Sequence, residues 1–180
     1  MPLRSKMLKI EYGSRVYIIA VFSALASLLQ LLEIFIILPI PFVKIGLANA
    51  IVLFFILKRQ YLIAFMVNMI RVFIGGFFSA KLFSLPFIFS FAGANLSYFA
   101  MLFLFIIIGR ITSAVAISVC GAIIFNLTQY CLFVYFFNRT IDYNVTVSII
   151  ISLSLIPGVL TGIIADMLNK QDIELIKKPR

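Results

Sequence analysis

The chain has no histidine among its 180 residues, only two cysteines, and just six acidic side chains. Without histidine there is neither an imidazole metal site nor an imidazole proton switch. Cys120 and Cys131 fall in one predicted helix. At about 1.5 Å of rise per residue they stand roughly 16 Å apart, beyond the ~7 Å between Cα atoms that a disulfide tolerates. Both read as small apolar residues. The sequence contains no GxxxxGK[ST] loop, so no ATP hydrolysis of that type is expected from this chain. It contains no DDxxD-like cluster to hold magnesium against a diphosphate, and no Ser/His or Cys/His set. No catalytic residue, metal or cofactor is therefore expected. An enzyme would have to work with Glu33, Lys44, Arg71 and a few amides.

Apolar residues, by contrast, are in excess. They make up 64% of the chain, and the mean hydropathy is +1.20. No soluble domain of this length hides that much apolar surface, so lipid is the expected solvent. The chain reads as one all-α transmembrane domain over residues 1–180. Apolar stretches predict six spans, at about 16–38, 41–57, 61–80, 85–108, 112–137 and 145–168, each judged against the ~20 residues needed to cross ~30 Å of hydrocarbon. Pro41 suits the first turn of the second span, and Ser84 is the expected N-cap of the fourth, with Pro86 in its first turn. Residues 138–144 read as a polar loop. The Gly75–Gly76 pair predicts a kink or a close helix contact. The first span is too long for a signal-peptide core, and no small-residue cleavage site follows it.

The net charge is +9. In a soluble protein that balance would point to nucleic acid, but here the cations sit mainly at the ends of apolar stretches, where they set topology and meet anionic headgroups. With six spans, one side carries eleven Lys and Arg residues and the other three, with Arg71 inside a span. That bias predicts that both termini are cytoplasmic.

Polar groups inside the spans are the candidates for function, because ionisable residues in hydrocarbon are costly. Glu33 lies in the outer third of the first span. It either snorkels outward or turns inward towards Lys44, Arg71 or a ligand cation. Arg71 lies midway along the third span with Asn68 on the same face at i−3. It serves either as half of a structural ion pair with Glu33 or as a ligand anchor. Asn126 and Gln129 share a face at i, i+3 and read either as amide bridges between helices or as ligand contacts, as do Asn49 and Asn95. Ala20 and Ala24, and likewise Gly158 and Gly162, are small-xxx-small pairs that permit close helix approach, within the bundle or to a partner.

Several segments resemble one family. They are the stretch from Pro39 to Asn49, with its K-x-G-L-A-N element from Lys44 to Asn49; Arg71; the F-A-G-A run from Phe91 to Ala94; and the run from Gly121 to Gln129. The chain resembles the Gx transporter family, also labelled heptaprenyl diphosphate synthase component I, and is similar to the membrane substrate-binding (S) components of energy-coupling factor transporters. The resemblance covers nearly the whole chain and departs in one place: the family usually has histidine where Phe125 stands. It implies a six-helix, S-component-like bundle in a bacterial cell membrane. The implied site is an outward ligand pocket formed by Glu33, Lys44, Asn49, Arg71, Asn95, Asn126 and Gln129. An alanine-bearing face at Ala20 and Ala24 would dock onto a transmembrane coupling protein, with ATPase subunits as separate chains. Uptake of a small nutrient is the function implied by this likeness. A membrane component of heptaprenyl diphosphate synthesis is the function implied by the label.

Overall fold

In a computed structural model, residues 2–33, 45–109, 111–137 and 143–177 are described, with side chains over 15–33, 45–109, 111–137 and 145–171. Six helices follow in order: α1 (Pro2–Leu32), α2 (Ala48–Leu57), α3 (Tyr61–Phe78), α4 (Leu85–Ile108), α5 (Ala114–Phe137) and α6 (Tyr143–Lys177). No strand occurs among the described residues. Five helices contain windows long and apolar enough to cross a bilayer, from Arg15–Leu32 in α1 to Val145–Gln171 in α6. The chain is a multi-pass membrane protein.

The exception is α2. A span was expected over 41–57, but the helix runs only over Ala48–Leu57. At about 1.5 Å per residue it covers roughly 15 Å, half the hydrocarbon thickness. Positions 41–44 lie outside the described residues, so Pro41 as a first-turn proline is not addressed. The helix cannot extend back through Gly46, whose φ of 73° is left-handed. A short helix needs shelter in lipid because its unsatisfied ends sit at depth, and α2 has it. Every residue from Ala48 to Ile56 is buried, and α2 touches each of the other five helices.

Around α2 the long helices form an open ring. α1 packs on α3, α3 on α4, α4 on α5 and α5 on α6, whereas α1 and α6 do not meet among the described residues and α2 lies between them. The outside of the ring is apolar: Tyr17, Leu62, Phe77, Phe103, Ile106 and Ile156 are all exposed. The inside carries the polar groups, among them Ser23, Asn49, Asn68, Arg71, Asn126, Gln129, Ser154 and Thr161. That inversion of the soluble pattern is what a lipid solvent selects.

Chain reversals explain where helices stop. Beyond α3, Ala80 is left-handed at φ 52°, and Lys81 N–H returns to Gly76 O at 3.0 Å. Ser84 is the N-cap of α4 in extended conformation, as expected. Its hydroxyl donates to Lys81 O at 2.5 Å rather than capping the helix. α5 starts two residues later than expected, with Ser113 Oγ accepting Ala116 N–H at 3.2 Å. The described α6 begins at Tyr143, so the expected loop over 138–144 is helical at its last two positions.

The α5–α6 seam shows why small residues recur. A Cβ on Gly158 would stand 2.7 Å from Val119 Cα, and one on Gly162 would stand 2.5 Å from Val115 Cα. Backbone approach that close lets short polar side chains meet. Ser118 Oγ and Thr161 Oγ1 are 2.6 Å apart, and Asn126 Nδ2 donates to Ser154 Oγ at 2.9 Å. Thr161→Val removes one such bond at nearly constant volume. Because membrane-buried hydrogen bonds average about 0.6 kcal/mol, it should lower the thermal unfolding midpoint in detergent only slightly. A collapse of the bundle would show that the hydroxyl pair, not the glycine contact, holds the seam.

Candidate functional site

Arg71 occupies the middle of α3 and is 3% exposed. Burying a guanidinium requires an acceptor for nearly every N–H, and here the acceptors are amide oxygens from three helices. Asn68 Oδ1, one turn earlier on α3, takes Nη2 at 2.8 Å and Nε at 3.3 Å. Asn49 Oδ1 of α2 takes Nη2 at 2.6 Å. Gln30 Oε1 of α1 reaches Nη1 at 3.4 Å. Asn68 Nδ2 then donates to Ala94 O at 3.3 Å, which ties in α4. Of the five guanidinium donors, one N–H of Nη1 has no acceptor among the described residues.

Local sequence makes each contact possible. Gly75 is one turn beyond Arg71, and a Cβ there would collide with the Gln30 amide. The glycine pair therefore produces a close helix contact, while α3 runs unbroken through it. At Gly76 the intruder is the Phe87 ring, 2.5 Å from a Cβ position. The left-handed Gly46 turns the chain into α2, with Asn49 N–H bonded to Gly46 O at 2.8 Å, and this places Asn49 facing Arg71. The K-x-G-L-A-N element thus has a physical content: a turn only glycine adopts cheaply, then an amide aimed at the arginine.

Glu33 follows directly after α1 and is half-buried. Its carboxylate accepts the backbone N–H of Leu47, the N-cap residue of α2. A negative charge there satisfies an orphan donor and complements the positive end of the helix. The carboxylate also lies within electrostatic reach of Arg71. No hydrogen bond or ion pair joins the two among the described residues, where the guanidinium's hydrogen bonds go to neutral amides. The cluster therefore holds a carboxylate and a guanidinium side by side rather than a closed ion pair.

The remaining candidates lie apart from this network. Lys44 is outside the described residues. Asn95, half-buried on α4, spends its amide on its own helix, Nδ2 donating to Phe91 O at 2.8 Å. Asn126 faces α6 through Ser154. Gln129 is 3% exposed, and its Nε2 has no hydrogen-bond partner among the described residues. A buried orphan donor costs about 1–3 kcal/mol. Phe125, where the resembling family carries histidine, is 6% exposed and packs against Gly93, so a ring fills that position. Ala20 and Ala24 are both exposed on α1, beside the buried Ser23 and Ser27.

Gln30 was not singled out by sequence. The signal was available: it lies three residues before Glu33, hence on the same face of the same helix. Asn68, an intramembrane amide that the sequence places on the same face as Arg71, is that arginine's principal acceptor.

These features define a class: a multi-pass membrane bundle that buries a charged, amide-lined cluster where α1, α2 and α3 converge. A family model described as heptaprenyl diphosphate synthase component I matches residues 22–168, and the chain belongs to that family. Neither a curated protein nor a solved structure matches it.

Proposed function

We propose that this chain is the substrate-capture subunit of a membrane transporter, similar to the S component of an energy-coupling factor system, taking up a small polar nutrient. The observation that carries the reading is the Arg71 cluster, with a spare guanidinium N–H beside an intramembrane carboxylate that does not neutralise it by contact. Glu33 and Arg71 present opposite charges to one ligand, which suits a zwitterion or a molecule with separate acidic and basic groups. Asn49 adds a polar contact, and the buried Gln129 amide, whose Nε2 finds no partner among the described residues, is a further candidate beside Asn95 and Asn126. Six membrane passes with both termini cytoplasmic would orient the ligand site outward. The chain has no nucleotide-binding loop, so release requires energy from separate coupling and ATPase subunits, which Ala20 and Ala24 on α1 would help to dock.

Mass spectrometry of small molecules that co-purify with the protein tests this. The expected result is one polar, charged species in stoichiometric amount. Replacing Ala20 and Ala24 together by leucine should reduce partner co-purification several-fold and spare that ligand. Loss of both at once would mean misfolding, and retention of the partner would remove this face from the docking surface.

The family description supports a second reading, a membrane component of heptaprenyl diphosphate synthesis, in which Lys44 and Arg71 would hold a diphosphate. Two features of the sequence weigh against it. No acidic metal motif is present, and the charge bias puts Lys44 on the side away from the cytoplasm. A prenyl diphosphate as the co-purifying molecule would favour this second reading and overturn the first.

A further inference from the structure

At the end of α3 remote from Gly75 and Gly76, a cavity of about 400 Å³ lies between the α2–α3 turn and the last turn of α4. Arg59, Tyr61, Phe105, Ile106, Ile107 and Gly109 line it. Arg59 is the cation among them, and its backbone is unusual, with φ at 58°. The turn it occupies closes α2 through Arg59 N–H to Ile56 O and Gln60 N–H to Phe55 O, both at 2.9 Å. Glycine is the low-cost residue at such a left-handed helix end. Arginine's side chain adds nothing to those backbone bonds. Nor is it held elsewhere, for the guanidinium has no hydrogen-bond or ion-pair partner among the described residues.

The opposite wall is fixed and apolar. Tyr98 Oη donates to Tyr61 O at 3.1 Å, and the Tyr61 ring meets Phe105 edge-on at 6.4 Å. Ile106 and Ile107 are 64% and 60% exposed, continuous with the lipid-facing surface of α4. The cavity also sits where three helices end together, the depth at which tyrosine and arginine meet headgroups. A cation with no partner among the described residues and an apolar wall, side by side at that depth, match an anionic amphiphile.

We propose that this cavity binds an anionic lipid, with Arg59 on the headgroup phosphate and Phe105, Ile106 and Ile107 against the first part of the acyl chains. Basic pockets between membrane helices recognise lipid phosphates in this way. The inference depends on the membrane bundle and not on the ligand site at Arg71.

The test uses the full chain in discs of mixed phosphatidylglycerol and phosphatidylcholine, extracted into neutral detergent, with bound lipid counted by native mass spectrometry. The wild type should retain phosphatidylglycerol in preference to phosphatidylcholine. Arg59→Gly removes the cation and suits the left-handed turn, so it should unfold no earlier than the wild type yet hold about fivefold less phosphatidylglycerol, the worth of one cation near an anionic surface. Arg59→Lys should restore most of the retention. Lys81→Gln, at the other end of the bundle, should leave it unchanged. Equal retention by Arg59→Gly, or equal retention of phosphatidylcholine, overturns the proposal. Displacement of the lipid by inorganic phosphate also overturns it, by making free phosphate the occupant.

Discussion

Arg71→Ala should abolish retention of the co-purifying ligand while the bundle remains folded. The substitution leaves the side-chain oxygens of Asn68, Asn49 and Gln30 without their shared donor. Each orphaned acceptor costs about 1–3 kcal/mol. The desolvation cost of a buried cation disappears at the same time, and the amides can bond one another, so the net change in stability should be small beside the change in binding. Arg71→Lys is the sharper variant. It keeps the charge but loses the planar fork that spans three oxygens, so retention should fall as well. Ligand counted by mass spectrometry and the unfolding midpoint in detergent separate the two effects. If the alanine variant holds its ligand undiminished, Arg71 only organises helix packing.

Gly162→Val should have the largest effect on stability of any single change proposed here. The added Cβ would meet Val115 Cα at 2.5 Å, and main chain cannot swing away as a side-chain tip can. Overpacking usually costs about 1–3 kcal/mol, and a backbone collision in the tightest seam of the bundle belongs at or above that upper end. The expected outcome is a fall of many degrees in the unfolding midpoint, or failure to accumulate in the membrane. Thr161→Val, one residue away in sequence, supplies the contrast, because it changes a hydrogen bond and leaves the helix spacing alone. Equal behaviour of the two variants would refute this account of the seam.

The long helices were legible because lipid imposes a simple rule: a run of apolar residues of sufficient length must satisfy its own backbone. Hence 85–108 coincides with α4, and 61–80 and 112–137 exceed α3 and α5 by two residues. The rule fails at α2. The stretch over 41–57 is apolar apart from Lys44 and Asn49, but hydropathy does not register the left-handed glycine that ends the helix, nor the shelter of five neighbours that lets a half-length helix sit at depth. The polar cluster was legible in its charges and less so in its geometry. Arg71 and Glu33 are conspicuous in hydrocarbon. That the arginine takes amide oxygens, while the carboxylate accepts a backbone N–H at the start of α2, depends on which helices adjoin, and spacing along one helix does not encode adjacency. Gln30 was overlooked for the same reason, since its function is created by Gly75 on another element.

That Gln30–Gly75 contact ties α1 to the Arg71 cluster. Its amide is wedged over a bare patch of α3 backbone and meets Arg71 at the limit of hydrogen-bond range, 3.4 Å. Sliding α1 along α3 by a single residue's rise, about 1.5 Å, would sever that link and carry Glu33 away from the mouth of α2. The outer face of the same rod bears Ala20 and Ala24. A displacement of α1 imposed at that surface would thus reach Glu33 and Gln30 through the helix itself.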